Sequence, residues 1–475
     1  MTGTSRMDAA GEEMNAFETV MWRIESDPAL RTPAMACLEL DAVPDPGRLA
    51  AVHEAAVAVV PRLGQRVVEP ALGLGVPRWT TDPAMDLRFH LRRHQLPARG
   101  GWPELMEGLS QFYMSPLDRA RSPWEALLVE GLPRGRALYA LKMHHAVTDG
   151  LGVMQHLARI LAPERQDDVP GGPRPAHLQT PPMSPYEALV AQARADLGRV
   201  TGEVGRLGSA GLRSLAAPFS TAGAVSRYVS SLGRVLAPPA AENSALLAER
   251  GLTLRLAAVD VPFDRLRAAA KAAGGSVNDA FLAALLGGYR LFHERSGAPV
   301  PEAVPTAMPI SLRRSDDPEG GNRIASARFA GPMAETDVAR RVERIRAVVS
   351  EVREEPAVDV IGLFSPLLGR MPGALAAILA GPMTKGNDLH ASNVPGLQGD
   401  HYLAGARVER FYGYGPLGGG ASLITLVSHG STACIGVGLD TAAFADGDLY
   451  LQCLVDGFTE VLDLAPGTAT PTLRG

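Results

Sequence analysis

Two adjacent histidines are the residues of this sequence whose type and position best suit chemistry. His144 and His145 follow a short apolar run at 137–143, which predicts a buried strand. After the pair, residues 151–161 carry apolar side chains at helical spacing. Because imidazole gains and loses a proton near neutral pH, a histidine between a strand and a helix suits a general base. Neighbouring strand residues point to opposite faces, so only one ring is expected to face a given cavity.

Each residue of this stretch also has a structural interpretation. A histidine in a strand is often a satisfied core residue, which favours a packing role for His144. For His145, a packing role and a chemical role are equally favoured. Asp149 stands where the predicted helix begins, so a helix N-cap or a charge partner is favoured over an acid. A metal site is not expected, because the two rings diverge and no other His or Cys pair has ligand spacing.

The elements that position the pair follow from hydrophobic periodicity and turn residues. The apolar runs at 127–132 and 137–143, separated by a Pro-Arg-Gly turn, predict an antiparallel hairpin. Ser276 and Asp279 have capping-box spacing and open a long predicted helix that ends near residue 295. Further strands are predicted at 34–40, 87–91, 253–256, 305–312, 322–329, 423–427 and 433–438. Further helices are predicted at 15–30, 46–60, 102–114, 263–273, 337–353 and 446–462.

Length and composition exclude several classes of protein. A chain of 475 residues is too long for one ordinary core, which predicts two domains. The hydrophobic fraction of 46% and the charged fraction of 20% are typical of a globular protein. A net charge of −5 gives no electrostatic support for nucleic-acid binding. Three cysteines make no disulfide framework and indicate a reducing compartment.

No stretch of the sequence predicts a signal peptide or a membrane span. The N-terminal residues lack an apolar signal region, and the run at 371–384 is too short and contains two prolines. A cytoplasmic location is therefore predicted. Residues 186–236 are rich in Ala, Leu and Val with spaced arginines, which indicates amphipathic helices. A connector packed on the domains is favoured there over contact with a membrane or lipid-droplet surface.

Five ordered segments resemble a known family. The stretch His144–Gly150 resembles the HHxxxDG signature of the CoA-dependent acyltransferase superfamily, which includes chloramphenicol acetyltransferase-like enzymes and peptide-synthetase condensation domains. The other four resemble segments of bacterial wax ester synthase/acyl-CoA:diacylglycerol acyltransferases. They are Pro116–Glu125, Ser276–Asp279, Met308–Arg313 with Gly320–Arg323, and Ser392–Gly396. HHxxxDG alone is moderately specific, whereas five segments in the family's order are specific.

This resemblance implies an α/β fold of two chloramphenicol acetyltransferase-like domains. Each would be a mixed sheet with flanking helices, and the active site would lie at their interface. The implied bounds are 1–185 for the half that carries HHxxxDG, 186–245 for a helical connector and 246–475 for the C-terminal half.

The resemblance also implies transfer of a fatty acyl group from acyl-CoA to a hydroxyl acceptor, a long-chain alcohol or diacylglycerol. His145 is expected to be the general base, with its neighbour His144 in the catalytic motif. Asp149 is expected to hold the loop through an arginine contact. Asn278 is expected to donate an amide N–H to the oxyanion, although a local bond at the helix start is equally open. The residues assigned to substrate binding are Gly150, Ser392 and Asn393.

Acyl-CoA is a co-substrate in this interpretation, and no cofactor or metal is expected. Apolar residues near the motifs are expected to line the substrate site and to favour alkyl substrates, because each buried methylene gains about 0.8 kcal/mol. Those residues are Val147, Leu151, Val153, Met154, Phe281, Leu282, Leu285 and Leu286.

Two alternative functions stay open at this point. One is a natural-product acyltransferase that uses a carrier-protein or CoA thioester, and the other is a non-catalytic acyl-binding relative. The chain departs from the family pattern at Asn15–Glu18, at Ser122-Pro123 and at Leu397, which leaves the acceptor and acyl chain length open. The intact His145 and Asp149 favour an enzyme. The sequence does not determine the oligomeric state.

Overall fold

The computed structural model describes residues 11–73, 75–147, 150–165, 182–194, 241–311, 324–353 and 372–474. The labelled helices of this part are α1 Ala16–Ile24, α2 Pro46–Val59, α3 Leu87–His90, α4 Trp102–Met114, α5 Gly150–Ile160, α6 Phe263–Ala272, α7 Val277–Arg295, α8 Val338–Arg353, α9 Gly373–Lys385 and α10 Gly447–Leu462. Residues 185–194 are also helical.

The strands of the described residues form two seven-stranded sheets and one three-stranded sheet. They are β1 Glu12–Glu13, β2 Pro33–Leu40, β3 Gln65–Val68, β4 Arg78–Thr81, β5 Leu91–Gln95, β6 Trp124–Leu132, β7 Arg136–His144, β8 Leu161–Ala162, β9 Leu254–Pro262, β10 Ala303–Ser311, β11 Ile324–Pro332, β12 Leu389–Val394, β13 Tyr402–Leu403, β14 Ala406–Tyr414, β15 Ser422–His429, β16 Thr432–Asp440 and β17 Thr472–Leu473.

The N-terminal sheet has the spatial order β5-β6-β7-β2-β14-β13-β8, so β7, which ends at His144, is an inner strand. The strands β6 and β7 are antiparallel, which confirms the predicted hairpin. In its turn, Arg134 adopts a φ of 65°, the left-handed conformation that a tight connection needs here. The strand that carries the two histidines is therefore bonded on both sides by β6 and β2.

The C-terminal sheet has the order β11-β10-β12-β15-β16-β9-β17. Its central strands β10, β12 and β15 are mutually parallel, so their carboxyl ends meet at one edge. The helices α6, α7, α8 and α10 cover one face, where they and the strands form a large buried core. Both sheets are mixed and flanked by helices, which confirms the predicted two-domain α/β fold.

One strand crosses between the two halves. Strand β14 lies late in the chain but pairs with β2 in the N-terminal sheet. A Cβ atom added to Gly436 of β16 would lie 2.1 Å from the carbonyl oxygen of Gly413 in β14, so the two sheets touch there. The predicted bounds of the halves stay a prediction. Most of the predicted connector falls at 195–240, outside the described residues.

Helix α4 joins the two sheets through a second buried cluster. This junction core combines residues of α4, β2 and β7 with residues of β9, β14 and β16. The Leu256 N–H of β9 donates to the Ser110 Oγ of α4 at 3.0 Å. The Tyr412 hydroxyl of β14 donates to the Asp260 carboxylate of β9 at 2.6 Å. The halves are thus connected by apolar packing and by buried hydrogen bonds.

The predicted elements that lie in the described residues agree with the structure except at two segments. The helix predicted at 15–30 ends at Ile24, and Pro28–Leu30 forms a separate 3₁₀ turn. Residues 87–91 were expected to form a strand, but Leu87–His90 is a helical turn and the strand begins at Leu91. The Asp86 carboxylate accepts the Arg88 N–H at 2.9 Å and caps this turn. The His90 ring nitrogen Nδ1 lies 2.7 Å from the Trp124 carbonyl oxygen. This contact holds the C-terminal end of the helical turn. A side-chain cap therefore outweighs the apolar pattern of this segment.

Candidate active site

The backbone of the histidine pair is held from both sides. The His144 N–H donates to the Pro123 carbonyl at 2.9 Å, and the His145 N–H donates to the Thr32 carbonyl at 2.9 Å. Pro123 precedes β6, and Thr32 precedes β2. The segment Pro116–Glu125 therefore helps to position the motif, which gives a physical role to one of the family-like segments.

His144 is buried, and both of its ring nitrogens have partners. Its Nδ1 accepts the Ala146 N–H at 2.9 Å, so the ring carries its proton on Nε2. That Nε2 lies 3.0 Å from a carboxylate oxygen of Glu25, which accepts the proton in a hydrogen bond. The Trp22 ring lies 4.9 Å from the His144 ring, centroid to centroid. This geometry fits the packing role that the sequence favours for His144.

His145 lies in the turn that follows β7 and is half-buried. The turn is closed by the Val147 N–H, which donates to the His144 carbonyl at 2.9 Å. Helix α5 begins at Gly150, so the strand predicted before the histidine pair and the helix predicted after it are confirmed. Asp149 and Thr148 lie outside the described residues, and the loop-holding role of Asp149 stays a prediction.

Asn278 is the second residue of α7 and is half-buried. Its side-chain amide donates to the Met308 sulfur of β10 at 3.3 Å rather than to a neighbouring residue of its own helix. The Ser276 side chain accepts the Asp279 N–H, and the Asp279 carboxylate accepts the Ser276 N–H. This confirms the predicted capping box, and it leaves Asn278 without a role in capping.

Removal of this cap is expected to have a modest and local effect. The Ser276→Ala variant loses the acceptor for the Asp279 N–H, and we expect it to lose about 1 kcal/mol of unfolding free energy. The matched control is Ser296→Ala at the exposed C-cap of the same helix, which should change stability by less than about 0.5 kcal/mol. Denaturant unfolding of both variants measures the difference, and equal stabilities would contradict the capping role.

Ser392 and Asn393 lie near the end of β12, at the edge where β10, β12 and β15 end together. Ser392 is half-buried and Asn393 is exposed. Asn278 contacts the neighbouring strand β10, so the three polar residues of the C-terminal half share this edge. Their assignment to substrate binding and to oxyanion stabilisation stays a prediction.

The two groups of residues meet through one hydrophobic cluster. Ala146 and Val147, which follow His145, belong to the core of the N-terminal half. Leu397 and Val427, which follow and flank the Ser392 segment, are buried in the same core. Leu397 stands at a position where the chain departs from the family pattern, and it is 7% exposed. This departure therefore changes a packing residue at the junction of the halves.

A cavity also lies between the two halves, beside the junction core of α4, β2 and β9. It is lined from the N-terminal half by Pro28, Arg31, Pro33 and Tyr113, and from the C-terminal half by Leu254, Leu417 and the glycines 418–420. Pro33 is the register partner of His144 in the adjacent strand. The cavity therefore reaches strand β2, which pairs with the strand that ends at His144.

The prediction that apolar residues near the motifs line the substrate site is partly wrong. Phe281, Leu282, Leu285 and Leu286 of α7 have no exposed surface and pack in the core of the C-terminal half. They cannot line a channel, because a channel wall keeps some accessible surface. The helix buries this face against the sheet, as apolar residues at helical spacing usually do. Val147 and Val153 are likewise buried, in the core of the N-terminal half.

Several groups around the motif could not be recognised from the sequence. Glu25 and Thr32 contact His144 although they lie more than a hundred residues before it, and the Arg119 charge acts on Glu25. Within the described residues, no group of three or more His, Cys, Asp or Glu side chains could hold a metal ion. No helix of the described segments is long and apolar enough to cross a membrane.

Solved structures show the class of fold to which this chain belongs. The wax ester synthase/diacylglycerol acyltransferase from Marinobacter aquaeolei VT8 superposes with a TM-score of 0.64 at 19% identity, covering 95% of this chain and 99% of that one. The first condensation domain of the CDA synthetase superposes with a TM-score of 0.58 at 17% identity, covering 97% of both chains. The fold is therefore the two-domain fold of condensation domains and related acyltransferases.

Sequence comparison narrows this class to one family. Residues 7–281 match the wax ester synthase/diacylglycerol acyltransferase catalytic domain, and residues 320–461 match the C-terminal domain of the same family. A Mycobacterium tuberculosis relative named as a diacylglycerol O-acyltransferase is 38% identical over 470 residues, which is 97% of this chain and 94% of the relative. A relative of the same name from Mycobacterium bovis is 32% identical, covering 81% of this chain and 78% of the relative. The chain belongs to the wax ester synthase/diacylglycerol acyltransferase family.

Membership of this family confirms the main functional prediction. The protein is an acyltransferase that moves an acyl group from acyl-CoA to a hydroxyl acceptor. The natural-product and non-catalytic alternatives are not favoured.

Proposed function

We propose that this enzyme acylates a long-chain alcohol or diacylglycerol, with His145 as the general base. The observation that carries the assignment of the base is the geometry of the pair. Both nitrogens of His144 are engaged, one by the Ala146 N–H and one by Glu25. A base must accept a proton at a ring nitrogen, which favours His145 over His144 for this task.

The reaction needs no covalent enzyme intermediate when both substrates bind together. His145 takes the hydroxyl proton while the hydroxyl oxygen attacks the thioester carbonyl. The tetrahedral intermediate collapses as the C–S bond breaks, and the protonated imidazole returns its proton to the leaving thiolate. The products are the ester and free CoA, so protons and electrons balance.

Asn278 is the proposed donor to the oxyanion of this intermediate. Its amide currently bonds to the thioether sulfur of Met308, which is a weak acceptor. An oxyanion is a far stronger acceptor, so the amide gains when it turns from the sulfur to the oxyanion. Ser392 and Asn393, at the same edge of the sheet, are proposed to shape the substrate site.

The proposal of lipid substrates rests on the names of the relatives. It does not rest on residues of this chain that line a substrate channel. Each methylene that enters an apolar channel gains about 0.8 kcal/mol, which is about fourfold in binding. We therefore expect kcat/KM to rise with acyl and alcohol chain length until the channel is filled. Peripheral association with a membrane or lipid droplet and a cytoplasmic location stay predictions.

Release of free CoA tests this proposal directly. Acyl-CoA donors from C2 to C18 are offered with hexadecanol or with diacylglycerol, and the rate is followed for each pair. Rising efficiency towards long chains is the expected result. A preference for acetyl-CoA, or for a polar acyl group on a carrier protein, would contradict the lipid assignment and support the natural-product alternative.

A further inference from the structure

Glu25, the C-cap residue of α1, contacts the motif from outside it. One of its carboxylate oxygens accepts three hydrogen bonds, and the side chain is only 16% exposed. The donors are His144 Nε2 at 3.0 Å, the Thr32 N–H at 2.8 Å and the Thr32 hydroxyl at 3.3 Å. We propose that Glu25 is a positioning residue that holds both histidines of the acyl-transfer site.

The contact with His144 is direct and fixes the state of its ring. Because the Glu25 carboxylate accepts the Nε2 proton, Nδ1 is left as an acceptor for the Ala146 N–H. The His144 carbonyl meanwhile accepts the Val147 N–H. The turn that contains His145 is therefore built on His144, and it needs the one tautomer that Glu25 selects.

The contact with His145 runs through Thr32. Glu25 holds the Thr32 N–H, and the Thr32 carbonyl accepts the His145 N–H at 2.9 Å. Thr32 is 3% exposed, so water does not compete freely for these bonds. A single carboxylate thus restrains the ring of one histidine and the backbone of the next.

Neighbouring groups keep Glu25 ionised. Burial acts to raise the pKa of its carboxyl, but His144, the Thr32 N–H and the Arg119 charge outweigh burial and lower the pKa to about 2. The Arg119 guanidinium lies 4.0 Å above the Trp22 ring and donates to the Trp22 carbonyl at 2.7 Å. Since Arg119 belongs to the family-like segment 116–125, this segment supports the motif through Glu25 as well as through Pro123.

This inference rests on the proposed role of His145 as the base. If Glu25 acts by position, its loss should lower kcat more than it changes KM, because small misplacements of a catalytic group cost about 10²-fold. For Glu25→Ala we expect kcat to fall about 30- to 100-fold, with KM for acyl-CoA and for the alcohol within about threefold.

Glu25→Gln is the conservative variant. Its amide oxygen can still accept bonds from Thr32 and His144, so kcat should stay within about tenfold of the wild type. The matched control is Asp27→Asn, two residues away, whose carboxylate bonds to Ala29 and Lys385 but to neither histidine. This control should keep the wild-type kcat. Thermal unfolding of each variant shows that the assayed protein is folded.

A double-mutant cycle tests whether Glu25 acts through His144. In the His144→Ala background, Glu25→Ala should lower kcat by less than about tenfold, because its direct partner is already gone and only the contact with His145 through Thr32 remains. A fully multiplicative loss would overturn the positioning role. Wild-type kcat in Glu25→Ala would also overturn it. So would a Glu25→Gln variant as slow as Glu25→Ala, because that result would assign the effect to the charge of Glu25.

Nitrogen NMR of the histidine side chains supplies a readout that does not depend on activity. Wild-type His144 should show a single tautomer with its proton on Nε2, and Glu25→Ala should show a mixture. An unchanged tautomer in the variant overturns the inference. If His145→Ala proves fully active, the proposed role of His145 is wrong, but the inference about Glu25 can still be tested. The tautomer reports on the contact between Glu25 and His144 whether or not His145 is the base.

Discussion

Replacement of His145 by alanine is expected to lower kcat/KM for acyl transfer by about 10²–10⁴-fold, the usual contribution of general-base catalysis. The reaction loses the group that takes the hydroxyl proton and returns it to the thiolate. The fold should be retained, because His145 is half-buried in a turn and its backbone bond to Thr32 does not need the side chain. Release of CoA measures the rate, and thermal unfolding checks the fold.

His144→Ala is the matched control for this experiment. It leaves the Glu25 carboxylate largely buried without its ring partner and removes the acceptor for the Ala146 N–H. We therefore expect this variant to lose stability as well as activity, with an activity loss smaller than that of His145→Ala. Wild-type activity in His145→Ala would refute the assignment of the base.

Gly396→Ala is expected to have the largest effect on stability. A Cβ atom at this position would lie 1.7 Å from the Ser428 carbonyl oxygen, far inside van der Waals contact. Backbone atoms cannot turn aside, so the chain after β12 must move away from β15. The next residue, Leu397, is buried in the core of the N-terminal half and would be pulled from it. We expect a cost of about 3 kcal/mol or more, together with a loss of activity.

Gly108→Ala in α4 is the matched control, because an added Cβ meets no atom within 4 Å there. This substitution removes backbone freedom from the unfolded chain and should stabilise the helix by up to about 1 kcal/mol. Denaturant unfolding compares the two variants. If Gly396→Ala unfolds at the wild-type midpoint, the close approach of the Ser392 segment to β15 is not required for the fold.

The sequence by itself determined the local elements around the site. The hairpin that ends at His144, the helix Trp102–Met114 and the capping box at Ser276 all agree with the structure. Such features depend on hydrogen bonds and apolar periodicity within a few residues of each other, and both can be recognised without the fold. The family and its acyltransferase activity also followed from segments that are continuous in the chain.

The tertiary structure alone decided which distant residues surround the motif. Glu25 meets His144 across more than a hundred residues, and β14 leaves its own half to pair with β2. Phe281 is apolar, as a residue that lines an alkyl channel would be, yet it is buried in the core of the C-terminal half. Burial and long-range strand pairing depend on how whole sheets pack together. The local sequence pattern of a segment does not show which distant segment it will contact. For that reason the histidines could be found from the sequence, whereas the carboxylate that positions them could not.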